Sequence, residues 1–124
     1  MILDTTIRLE AVLAGAVAAN QPEVHVDYVD WNPGNEQTAP ATFRVALNSS
    51  TDVTILAAPV ANSKRQITNA SIYNKDTASV TVTVKTDDGT TERIIIKAVL
   101  ATLEVLLYDQ NAGWYALTTA GARK

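Results

Sequence analysis

The stretch that decides the fold is Ser79-Val80-Thr81-Val82-Thr83-Val84-Lys85-Thr86-Asp87-Asp88-Gly89. Val80, Val82 and Val84 alternate with Thr81, Thr83 and Lys85, the period of a strand with one apolar and one polar face. Asp88-Gly89 then supplies a hairpin signal, because glycine adopts the positive φ that tight turns need. Thr91 to Lys97 returns as the partner strand.

The same grammar extends outward in both directions. Glu104–Tyr108 and Trp114–Leu117 flank Asn111-Ala112-Gly113 as a second hairpin. Upstream, Val24, Val26 and Tyr28 alternate with His25 and Asp27. Phe43, Val45 and Leu47 alternate with Arg44 and Ala46, and Val53 and Ile55 alternate with Asp52 and Thr54. Asn32-Pro33-Gly34-Asn35 opens a loop running to Pro40, and Asn48 to Thr51 forms a polar turn. About nine short strands with frequent turns predict an all-β, single-domain antiparallel β-sandwich or jelly-roll-like fold.

The first twenty residues read less simply. Ile7, Leu9 and Ala11 alternate with Arg8 and Glu10, which favours a strand at Thr6–Leu13. Leu3, Ile7, Leu13 and Val17 also fit a short N-terminal helix capped by Asp4. The expected organisation is one domain over 1–124, with residues 1–20 as an N-terminal arm or strand and 21–124 as the sandwich core.

Composition narrows the function classes. The 124 residues fit one domain; 47% are hydrophobic and 19% charged, as in a globular chain rather than a disordered one. The absence of cysteine removes disulfides, thiolate metal sites and cysteine nucleophiles together. A net charge of −3 with ten scattered Lys and Arg residues gives no basic patch for nucleic acid. The apolar run Ala11–Ala19 lacks the basic flank of a secretory signal and is too short for a membrane span.

Candidate chemistry is sparse. His25 stands two residues from Asp27, and a general base oriented by a carboxylate is the functional reading. That strand spacing is expected to be too long for direct contact without help, and a surface or interface histidine explains the residue more simply. Asp27, Asp30, Asn32, Asn35 and Glu36 gather oxygens suited to a hard cation, but their spacing is not that of an EF-hand, and turn chemistry accounts for them. Asp87, Asp88 and Glu92, with Arg93 and Lys97 nearby, read as a solvated hairpin. No Gly-x-Ser-x-Gly elbow, second histidine or glycine-rich phosphate loop is present, so the chain is expected to be non-enzymatic, without catalytic, cofactor-binding or metal-ligating residues. The aromatics are the remaining candidates. Trp114 and Tyr115, adjacent on a strand, must point to opposite sides. Trp31 or Trp114 could serve as a sugar platform, and Tyr28, Trp31, Tyr73, Trp114 and Tyr115 are the expected interface residues.

Roughly the last sixty residues carry a familiar pattern. Arg65-Gln66-Ile67 leads to the corner Ile72-Tyr73-Asn74-Lys75-Asp76-Thr77, then to the Ser79–Val84 alternation and Asp88-Gly89. Leu100 to Tyr108, Gly113-Trp114-Tyr115 and Gly121 complete it. The pattern resembles small β-rich virion structural proteins of tailed bacteriophages, and Thr6–Glu10 through Tyr28–Asp30 is similar to their opening. Those proteins usually carry a Pro-Gly-Glu-like turn where this chain has Ala101-Thr102-Leu103-Glu104. The resemblance implies a virion component assembled in the host cytoplasm. The reading is a capsid decoration or cementing protein, homo-oligomeric with a trimer favoured, that binds the major capsid protein or other virion proteins. A tail, collar or fibre-adaptor protein is the alternative, followed by a carbohydrate-binding module.

Overall fold

A computed structural model describes all residues, Met1–Lys124, and the chain is all-β. Ten strands form in order: β1 (Ile2–Leu3), β2 (Arg8–Leu13), β3 (Glu23–Trp31), β4 (Ala41–Ala46), β5 (Val53–Leu56), β6 (Lys64–Tyr73), β7 (Val80–Asp87), β8 (Glu92–Leu100), β9 (Val105–Asp109) and β10 (Gly113–Leu117). They make two antiparallel sheets. One runs β10-β9-β6-β3-β4, with β1 also paired to β6; the other runs β5-β2-β7-β8. Faced against each other they form a β-sandwich, as the alternating strands predict.

The inward residues come from every second position, except where the β3–β6 register shifts and Thr68 bulges between Ile67 and Ala70. Val24 and Val26 of β3, Ile67, Ala70 and Ile72 of β6 and Leu106 and Tyr108 of β9 meet Leu9, Ala11 and Leu13 of β2 and Val80, Val82 and Val84 of β7 in one core. A leucine or isoleucine taken fully out of water there contributes about 1.5–3 kcal/mol, so this shared layer is what holds the two sheets face to face. The two predicted hairpins form as β7–β8 and β9–β10, with Gly89 at φ 89° and Gly113 at φ 75°. Both glycines adopt the left-handed backbone that an added Cβ would disfavour.

Residues 1–20 form no helix, and they are not an arm beside the core. Arg8–Leu13 is a central strand, bonded to β5 on one side and β7 on the other, with Leu9, Ala11 and Leu13 buried. Past Leu13 the backbone donors that a helix would use are taken by tertiary partners. Leu13 N–H donates to the Ser49 carbonyl and Ala14 N–H to Thr81, each at 3.0 Å. Ala18, Ala19 and Asn20 all donate to the carboxylate of Asp76 at 2.8–3.0 Å. A short segment gains little from helix formation, so these bonds decide its path.

Asp76 belongs to a corner that joins four parts of the chain. Asn74, fully buried, donates through Nδ2 to the carbonyls of Ala78, Leu100 and Ala101 at 3.0–3.1 Å and accepts from Asp76 N–H through Oδ1. Its own backbone bonds Glu104 and Leu103. Glu104 accepts from Ala101 N–H and from Lys124 Nζ, which fastens the C-terminus to the same place. The Asn-Lys-Asp-Thr corner is therefore a structural joint.

Candidate functional site

The register sets out the outer face of the larger sheet as transverse rows. Arg44, His25, Ser71, Leu107 and Tyr115 form one row across β4, β3, β6, β9 and β10, and Thr42, Asp27, Asn69 and Asp109 form the next. A depression of about 500 Å³ lies over the β4–β3–β6 part of this face, lined by Glu23, His25, Arg44, Ala46, Ser71 and Tyr73 among others. It is the larger of the two concavities in the chain.

His25 and Asp27 do touch, with help from the neighbouring strand. Nε2 of His25 lies 3.0 Å from Asp27 Oδ1. The edge strand β4 steers both side chains: Thr42 donates to Asp27 Oδ1 at 2.7 Å, and Arg44 Nε donates to His25 Nδ1 at 3.3 Å. A neutral imidazole satisfies this arrangement by donating through Nε2 and accepting at Nδ1. Both ring nitrogens are then committed within the row. Ser71, although opposite His25 across β6, meets no free ring nitrogen, so the contacts are those of a cross-strand polar ladder.

The five candidate aromatics divide by face. Tyr28 packs against the core with the Arg65 guanidinium 4.4 Å from its ring centre, and Arg65 is in turn bound by Asp30 at 2.7 and 2.9 Å. Trp114 also turns inward, tilted on Tyr108 at 5.3 Å between ring centres. Its indole N–H is buried without a partner. These two rings pack inside the chain, with Trp114 part-buried. Trp31, Tyr73 and Tyr115 turn outward on the larger sheet. Trp31 is 36% exposed with its indole N–H on Gln66, Tyr73 walls the depression, and Tyr115 lies under Arg123 at 4.2 Å. The pairing rule for Trp114 and Tyr115 thus resolves as Trp114 inward and Tyr115 outward.

The oxygen-rich loop after β3 is consumed by its own turns. Asn32 Oδ1 accepts from Gly34 and Glu36, and Asp30 is held by Arg65. The acids of the β7–β8 hairpin separate. Asp88 caps the turn, taking Thr90 and Thr91 N–H at 2.9 and 2.7 Å, which holds its carboxyl below the usual range. Asp87 and Glu92 instead face outward with Glu10 of β2, and one carboxylate oxygen of each lies within 4.8 Å of the other two. Arg8 binds Glu10 Oε1 at 2.6 Å and also Asp87, while Lys85 binds Asp52 and Glu92 at 2.8 Å each. Burial works to lower the Lys85 ammonium, but the bonds to Asp52 and Glu92 overcome it and leave its pKa raised. Glu10, Arg8 and Lys85 were not singled out in the sequence. Their only signal is a polar position on an alternating strand, since the β2–β7 pairing that unites them is long-range.

The second prominent surface feature is β8, an outermost strand of the smaller sheet. Ile94 and Val99 are 70% and 55% exposed there, with Ile95 also open to solvent. The β7–β8 register shifts between Val84 and Lys85, where Ile95 is passed over as a bulge. Comparisons with protein-family models, with curated proteins and with solved structures gave no match to this chain. The fold and its surfaces thus define a class, an all-β antiparallel sandwich with an apolar edge strand and an aromatic-bearing outer face. No helix is long and apolar enough to cross a membrane.

Proposed function

We propose that this chain is a non-enzymatic structural protein of a tailed-phage virion, a decoration or cementing subunit that binds the head and stabilises it. The observation that carries the assembly reading is β8. An open edge strand bearing exposed Ile94, Ile95 and Val99 is a hazard for a free monomer and an asset for a subunit that pairs with neighbours. The virion reading draws on the resemblance of the last sixty or so residues. In this reading β8 joins copies into a homo-oligomer, a trimer favoured, and the outward Trp31, Tyr73 and Tyr115 bear on the major capsid protein or another virion protein. A shell offers many equivalent positions, so modest contacts add up by multivalency, and binding the assembled shell in preference to its parts stabilises it.

The test is copy number, by quantitative mass spectrometry of purified particles whose genome encodes this chain. Abundance comparable to the major shell protein is expected. A low copy number would move the subunit to a tail, collar or fibre position, and absence from the particle would overturn the virion reading. Trp31→Ala adds a second measure. It is expected to weaken binding to undecorated shells while shifting the melting temperature of the free protein by less than about 2 °C, the scale of a few tenths of a kcal/mol.

A further inference from the structure

The charged cluster on the outer face of the smaller sheet is built unlike the other polar groups of the molecule. Four carboxylates, those of Glu10, Asp52, Asp87 and Glu92, share only two cations, Arg8 and Lys85, which leaves two negative charges uncompensated. One of these carboxylates is deeply placed. The Glu10 side chain is only 6% exposed, and its Oε2 is buried with no hydrogen-bond partner. A buried carboxylate oxygen left bare is costly, and charge makes it more so.

The two cations hold one side of each acid and leave the other. Arg8 takes Oε1 of Glu10 and Oδ2 of Asp87, and Lys85 takes Oε1 of Glu92. Oε2 of Glu10 has no partner, and Asp87 Oδ1 takes only the Gly89 N–H, at 2.7 Å. Arg8 and Lys85 therefore act as orienting groups behind a converging oxygen set, the role that outer partners play around bound metals. Ligands on opposite sides of a calcium ion, at about 2.3–2.6 Å each, stand about 5 Å apart. The three acids place oxygens within 4.8 Å of one another, inside that span. All the donors are hard carboxylate oxygens, with no nitrogen or sulfur, and water can complete a flexible shell.

We propose that Glu10, Asp87 and Glu92 form a site for one hard divalent cation of the calcium class, with Glu10 Oε2 as its buried ligand. The ion cancels the two excess charges and ties β2, β7 and the start of β8 together across the face of the sheet. This inference stands apart from the virion reading and survives its failure.

The experiment is calorimetric titration of the full chain, stripped with EDTA and exchanged into buffer with about 150 mM KCl to screen diffuse surface binding. Calcium, magnesium and manganese chlorides are each added. One saturable calcium site per chain is expected, with Kd between about 10 μM and 1 mM, the sensor-to-extracellular range. The melting temperature rises as calcium increases, since the ion binds only the assembled site. Glu10→Gln weakens binding by about tenfold or more, the loss expected when one ligand of such a set is removed, while Asp52→Asn, outside the ligand set, changes it by less than about twofold. Absence of saturable binding up to about 10 mM of all three ions, well past that range, overturns the site. Unchanged affinity in Glu10→Gln overturns it too. If Glu10→Gln fails to fold by circular dichroism, Glu92→Gln at the half-exposed position carries the comparison, with the same loss expected and an unchanged Kd again fatal.

Discussion

Two polar clusters in this molecule are made from similar residues and closed to very different degrees. At the Asn74–Asp76 corner every side-chain group is matched. Asn74 spends its amide on three carbonyls and one N–H, and Asp76 collects three backbone donors from Ala18, Ala19 and Asn20. At the Glu10–Asp87–Glu92 cluster the acids outnumber the cations and one buried oxygen is bare. Backbone partners close the first within the chain, so it works as a joint. The second is closed only by something from outside the chain. Completeness of hydrogen bonding, more than residue type, separates architecture from a site.

The largest expected effect is at the joint. Asn74→Ala removes the amide whose two N–H groups serve the carbonyls of Ala78, Leu100 and Ala101, at a cost of about 3 kcal/mol in urea unfolding. Glu10→Gln in calcium-free solution should cost less than about 1 kcal/mol, because glutamine keeps an oxygen for Arg8 and loses the bare charge. Equal losses at the two positions would erase the distinction between them.

A smaller effect sharpens the same contrast through pH. Backbone N–H donors, those of Asn20 and Ala18 foremost, hold the Asp76 carboxyl near a pKa of about 2, against an ordinary value of 3.8. A depressed native pKa means the ionised form is the one the fold prefers. The stabilisation is complete above about pH 4 and disappears as pH falls through about 2. Asp4, Asp88, Glu104 and Asp109 are also lowered, so the informative quantity is the difference between wild type and Asp76→Asn. Urea unfolding from pH 5 downward should show that difference shrinking towards acid, and a constant difference would remove the charge from the account.

How much of this was legible beforehand follows from how local each feature is. The β7–β8 and β9–β10 hairpins were readable because alternation and a turn glycine lie within one short stretch. The strand at Arg8–Leu13 was readable too, but its competition with a helix was decided by acceptors at Ser49, Thr81 and Asp76, far along the chain. His25 and Asp27 were placed out of reach by strand geometry alone, and the residues that bring them together, Thr42 and Arg44, belong to a neighbouring strand. The acidic cluster was half visible. Asp87 and Glu92 share a hairpin, but Glu10 joins them only through the β2–β7 pairing, which no local pattern encodes. Likewise, exposed aromatics and core aromatics look alike in sequence, and only the register sorted Trp114 from Tyr115.

The smallest expected effect lies in the turn that faces the joint. Leu103 adopts φ 66°, a left-handed conformation that costs a branched residue about 1 kcal/mol, and its side chain is 52% exposed, so it gains little packing in return. The turn holds because Leu103 N–H is bound to the Asn74 carbonyl at 2.7 Å and Glu104 N–H to Ala101 at 3.1 Å. A glycine at this position adopts positive φ without strain. Leu103→Gly should therefore raise stability, by less than about 1 kcal/mol because the freer unfolded chain offsets part of the relief. A gain would mean that the joint imposes this backbone on whatever residue occupies the turn. A loss of comparable size would mean that Leu103 contributes through its side chain, and that the joint extends further over the surface than its hydrogen bonds do.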